Sequence, residues 1–99
     1  MQPADSIADQ IAFDLAWYEK DAASEITSPI IRQAARARIA VLKTAPRDMP
    51  RLKMEIAKKT KAFNESETYP ECDILQVELD TLERILAMVQ ITLDRQNSL

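Results

Sequence analysis

The sequence predicts an all-α fold, a small bundle of four helices, and three observations carry that prediction. None of its 99 residues is glycine. Apolar residues recur at helical spacing in four segments, and prolines with short polar stretches separate those segments. Glycine is the usual residue where the backbone needs positive φ, as in tight hairpin turns, so a β-rich fold is disfavoured. The length suits a single domain over residues 1–99.

The first helix is expected over about residues 3–23. Ile7, Ile11, Leu15, Tyr18 and Ala22 fall on one face at spacings of four and three. Phe13, Ala16 and Trp17 are read as widening that face. Pro3 suits a first turn, and Asp5 and Asp9 suit the positive end of the helix dipole.

The second helix is expected over about 29–44. Ser28-Pro29 supplies an N-cap followed by a proline at the first helical position. Ile31, Ala35, Arg38 and Leu42 form one row, and Ile30, Ala34, Ala37 and Val41 its neighbour. The many alanines imply either close approach of another helix or simple helix propensity.

The third helix is expected over about 48–63, with Asp48 as N-cap and Pro50 in the first turn. Its apolar face is thin: Met49, Leu52, Ile56 and Phe63, with Met54 off that line. Glu55 and Lys59 stand four apart in the favourable order.

The fourth helix is expected over about 69–96 and is the longest. Thr68 and Glu71 match a capping box. Cys72, Leu75, Leu79, Leu82, Leu86, Val89 and Leu93 form a seam at alternating spacings of three and four. Ile74, Val77, Ile85, Met88 and Ile91 broaden it into the face of a bundle. The helix would span about 40 Å, against about 24 Å for the second and third. Such a helix is expected to overhang its partners and expose an apolar strip, which homo-oligomerisation would cover. The main apolar contact is expected between the first and fourth helices, within a homodimer.

Composition excludes much chemistry. Without glycine there is no Walker A loop and no glycine-rich dinucleotide fingerprint. Without histidine the commonest general base and zinc ligand are absent. One cysteine forms no internal disulfide and no cysteine-rich metal site. Cys72 lies between Glu71 and Asp73, which disfavour a thiolate, so it reads as a small buried hydrophobe. Carboxylate clamps for magnesium need well-placed acid pairs. Asp80 and Glu83 are the nearest approach to one and read as a solvated face. Neither an enzyme nor a cofactor is expected. No signal peptide is read at the N-terminus and no run is long enough to span a membrane, so a soluble cytoplasmic protein is expected.

The formal net charge of −3 conceals a partition. Residues 1–31 hold one basic and six acidic side chains, 32–61 ten basic and two acidic, and 62–99 two basic and eight acidic. Arg32, Arg36, Lys43, Arg47, Arg51, Lys58, Lys59 and Lys61 would contact nucleic acid or an acidic partner under one reading. Under the other, basic helices pack beside acidic ones and the charges compensate. The low pI of about 4.9 and the scarcity of aromatics in the block favour the second. A helix-turn-helix matches poorly, because the connector holds two prolines and no glycine.

The function expected is a small non-catalytic interaction module, homodimeric, acting as a regulator, inhibitor, adaptor or assembly factor on a protein partner. Nucleic-acid binding through residues 32–61 is the alternative. The partner or oligomer interface is expected at Leu75, Leu79, Leu82, Leu86, Val89 and Leu93. Trp17 is read either as an anchor for a partner or as packing at the edge of the core.

Overall fold

The computed structural model describes residues 7–97. Among them are four helices and no strand: α1 (Ile7–Ala23), α2 (Pro29–Thr44), α3 (Met49–Glu65) and α4 (Tyr69–Asn97). The expected start of the first helix at Pro3 lies outside the described residues. The third helix runs two residues past Phe63, because Asn64 and Glu65 complete its last turn.

Local chemistry sets the boundaries. The Ser28 side chain accepts from the Ile31 N–H at 3.3 Å, and Asp48 accepts from the Arg51 N–H at 3.2 Å. Each cap satisfies an amide that has no partner within its helix. Ala45 ends α2 at φ −64°, ψ 140°, an extended geometry that the following Pro46 demands. Ser66 ends α3 in the same region, at φ −73°, ψ 135°. Neither cap needs positive φ, so these helix ends manage without glycine. At Thr68 the hydroxyl contacts the Glu71 carboxylate at 3.4 Å, and the Cys72 N–H donates to the Thr68 carbonyl at 3.0 Å.

The packing order is α1, α2, α4, α3. α4 takes α2 on one side and α3 on the other, while α1 packs chiefly on α2 and meets α4 only briefly. Within the chain, then, the first and fourth helices do not make the main contact. Charge supplies the reason. α1 holds one basic and four acidic side chains, and α4 two and six; α2 holds four basic and no acidic, and α3 five and two. The spatial order therefore alternates in sign, and the two acidic helices are kept largely apart. Ala35 is completely buried in α2, so at this position the alanines serve close approach.

The core forms where the end of α2, the start of α3 and the middle of α4 converge. Leu42, Leu52 and Ile85 are fully buried there. Ile11, Val41, Leu82, Met88 and Val89 complete the cluster, with Leu15, Tyr18 and Ile56 half-buried against it. Thr81 is buried in α4 and donates to the Val77 carbonyl at 2.8 Å, so its hydroxyl is satisfied.

Among the described residues, ion pairs join the helices at Lys59–Glu78, Lys43–Glu19 and Arg84–Asp14. Lys59 reaches Glu78 at 2.9 Å, tying α3 to α4 in place of the expected Glu55 partner. Lys43 and Glu19 lie 3.9 Å apart between α2 and α1, both largely exposed. Asp14 is the demanding case, because its side chain is only 7% exposed. The Arg84 guanidinium grips it with two parallel hydrogen bonds, one of them at 2.9 Å. The hydrogen bond to Asp14 holds the Arg84 pKa above its ordinary value, against the smaller lowering by burial. A raised arginine pKa contributes stability that is lost only when pH rises through that strongly alkaline value, so it is present throughout the neutral range.

The molecule is thin. Its extents are 46 × 33 × 15 Å, and its radius of gyration is 14.8 Å, against about 13 Å for a compact chain of this length. The whole chain, terminal residues included, exposes 7061 Å², where a compact monomer of its mass exposes about 5,700 Å².

Two measurements check this account. Arg84→Ala should cost about 2 kcal/mol in urea unfolding by stranding the Asp14 carboxylate. The Asp14→Ala/Arg84→Ala double variant should lose less than the sum of the singles. Raising NaCl should lower the unfolding midpoint by screening the alternating helices; a midpoint that rises instead would contradict the charge ordering.

Candidate protein-interaction surface

The apolar residues that remain outside the core define the surface. Among the described residues, eight large ones are exposed: Phe13, Trp17, Ile26, Ile30, Ile31, Met54, Ile91 and Leu93. Single exposed hydrophobics are ordinary; groups of them are not.

Phe13 and Trp17 stand one turn apart on α1, 70% and 61% exposed. The sequence places them, with Ala16, on a widened buried face, and the structure turns all three to solvent. The cause is the narrowness of the strip that α1 buries. Ile7, Ile11, Asp14, Leu15 and Tyr18 occupy it, and no neighbour covers the flank. Tyr18 is half-buried, and the Arg38 guanidinium lies 5.1 Å from its ring centre, a cation–π contact between α1 and α2.

A second apolar site lies between the N-terminal turns of α2 and α4. It is a groove of about 490 Å³ with walls of Ile30, Ala34, Ile74 and Val77 and a rim of Gln33, Asp73 and Gln76. Ile30 projects at its edge and is 78% exposed. α2 and α4 run in the same sense here, since Ile30 lies beside Ile74 while Val41 lies beside Leu82 further along.

The seam expected to serve a partner is mostly used within the chain. Leu75, Leu79, Leu82 and Val89 are buried among this chain's own helices, and Leu86 is half-buried. Leu93 alone of the seam is exposed, on the last turns of α4. Sequence reasoning marked the seam as apolar but had no signal for which helix covers it. It named Ile30 as part of a row without singling it out, and an isoleucine on the outer edge of an apolar row was the signal available.

The basic residues are carried by α2, α3 and the connector between them. α2 and α3 each pack mainly on α4, and they approach one another only where Val41, Leu42 and Leu52 meet in the core. Arg32 and Arg36 are carried on α2, the first half-buried and the second exposed. Arg47, Arg51, Lys58 and Lys61 are exposed at the head of α3 and along it. Lys43 and Lys59 are engaged by Glu19 and Glu78. α2 and α3 do not pack closely along their lengths, as the two helices of a helix-turn-helix would.

Among the described residues, no group of three Cys, Asp or Glu side chains is placed to hold a metal ion. Asp80 accepts from the Gln76 amide at 2.9 Å on the α4 surface. Cys72 is half-buried rather than enclosed, beside a shallow hollow with Ser66, Glu67 and Thr68. No helix among the described residues is long and apolar enough to cross a membrane. Comparison with known protein families, with curated proteins and with solved structures finds no match.

Trp17 is the sole tryptophan, so its exposure is directly measurable. Its emission should be red-shifted in dilute protein and quenched by iodide almost as efficiently as free tryptophan. Blue-shifted, unquenched emission at high dilution would place the ring inside the fold.

Proposed function

We propose that this chain is a non-catalytic protein–protein interaction module, working as a homodimer and presenting Phe13 and Trp17 to a protein partner. The exposed aromatic pair carries the proposal. Full burial of such side chains is worth roughly 1.5–3 kcal/mol each, a gain the folded monomer forgoes. Tryptophan is the residue most enriched at binding hot spots, and two aromatics one turn apart on a helix form a ready anchor for a groove. Lys43 and Lys59 are paired with Glu19 and Glu78 of this chain, which supports a protein partner over a nucleic acid that would need those cations free. A lone thiol fits the reducing cytoplasm as the place of action.

Affinity capture from the native host with quantitative mass spectrometry tests this reading. The wild-type chain should enrich a defined protein that Phe13→Ala/Trp17→Ala loses by about tenfold or more. Identical capture profiles for the two, or enrichment of nucleic acid instead, would overturn it.

A further inference from the structure

We infer that the face of α2 and α4 covered by α1 is a docking site for an acidic amphipathic helix of a partner protein, and that α1 is its displaceable resident. Phe13 and Trp17 point to solvent from the other side of α1, so the two surfaces stand or fall separately.

The helix now seated on this face defines what fits it. α1 lays Ile7, Ile11, Leu15 and Tyr18 against the core, with Ile11 buried. Their spacings of four, four and three are those by which an amphipathic helix enters a groove. Three cations border the strip. Arg84 holds Asp14, Arg38 lies over the Tyr18 ring, and Lys43 stands 3.9 Å from Glu19. α2 itself carries four basic side chains and no acidic one. A replacement helix therefore needs the same apolar row and a carboxylate for Arg84. A basic helix would set like charges against Arg38, Lys43 and Arg84.

The attachment of α1 suits exchange. α1 ends the packing order, resting on α2 and briefly on α4. Ile11 and Asp14 are its only buried residues. Asp14 is a carboxylate, costly to enclose, and its burial depends on Arg84. That arginine is about half exposed. An incoming carboxylate can thus reach Arg84 from solvent before Asp14 lets go, so neither charge is stranded during the exchange. The connector 24–28 adds little hold, since its one large apolar residue, Ile26, is wholly in solvent. Segments with few buried apolar contacts open at the low end of a protein's stability range. Tethering gives α1 a roughly millimolar effective concentration on its own site. A free helix therefore competes well only when the Asp14 latch is weakened or when it makes the better contacts.

Fluorescence anisotropy with a labelled synthetic peptide of residues 7–23, added to the full chain, tests this. The Asp14→Ala chain, with its latch removed and Arg84 free, should bind the peptide at least about tenfold more tightly than wild type. Hydrogen exchange in the chain's own α1 should accelerate as the peptide binds. A peptide carrying Asp14→Lys should lose about tenfold in affinity for that chain and regain it with the Asp14→Ala/Arg84→Glu chain. Absence of binding while circular dichroism shows native helix would overturn the inference. Binding that ignores the sign at peptide position 14, or that leaves α1 exchange unchanged, would overturn it too. Wild type gives a check that needs no variant: α1 amides should exchange at least about tenfold faster than those around Leu42 and Ile85. Equal protection throughout would mean that α1 does not leave. A wild-type dimer of about 22 kDa, twice the chain mass of 11.2 kDa, that Arg84→Glu dissociates would make a second copy's α1 the occupant and rule out a separate partner.

Discussion

The alternation of charge across neighbouring helices is the constraint on which the arrangement depends. Hydrophobic burial gathers four amphipathic helices but is non-directional, so it does not choose which lies beside which. The sign of each helix does. Basic α2 separates acidic α1 from most of α4, and basic α3 covers the opposite side of α4. Exposed pairs such as Glu19–Lys43 are individually weak. Their collective effect is to raise the energy of the alternative orders, in which like-charged helices lie side by side. The one meeting of the two acidic helices occurs where α4 turns Arg84, one of its two basic side chains, toward buried Asp14. The exception thus obeys the same rule at the level of single residues.

This logic explains what could be read from the chain and what could not. Ser28-Pro29, Asp48-Met49-Pro50 and Thr68 mark helix starts because capping is local chemistry, written within four residues. Periodicity located the apolar rows on α4 correctly, with Leu75, Leu79, Leu82 and Val89 among them. It could not name the surface that covers them, since a seam looks the same whether its complement is another helix of the chain or a second molecule. Phe13 and Trp17 were misplaced for a related reason. An apolar face can be drawn as wide as the sequence allows, but a helix buries only the width its neighbours reach. The partition of charge was visible as three blocks; its meaning needed the spatial order.

The surface that results is uneven in an informative way. The acidic and basic groups are distributed among helices that partly neutralise one another, while Phe13 and Trp17 on the flank of α1, and Ile30 and Ile31 at the head of the α2/α4 interface, make two exposed apolar places. Neither place holds a nucleophile with a base or a set of metal ligands. One carries large rigid rings, the other a branched aliphatic beside a small recess.

The glycine-free connections have a consequence in the unfolded chain. Glycine visits far more backbone states than any other residue, and each one lost on folding costs roughly 0.5–1 kcal/mol more than an alanine would. A chain of this length ordinarily carries about seven. Here the breaks at Ala45-Pro46 and Ser66 use backbone states that ordinary residues already favour, and five prolines restrict the chain further. The denatured ensemble is therefore unusually narrow, so less disorder is surrendered when the helices form. That thermodynamic saving lets a thin body with a small core hold together while still leaving isoleucine and tryptophan on its outside.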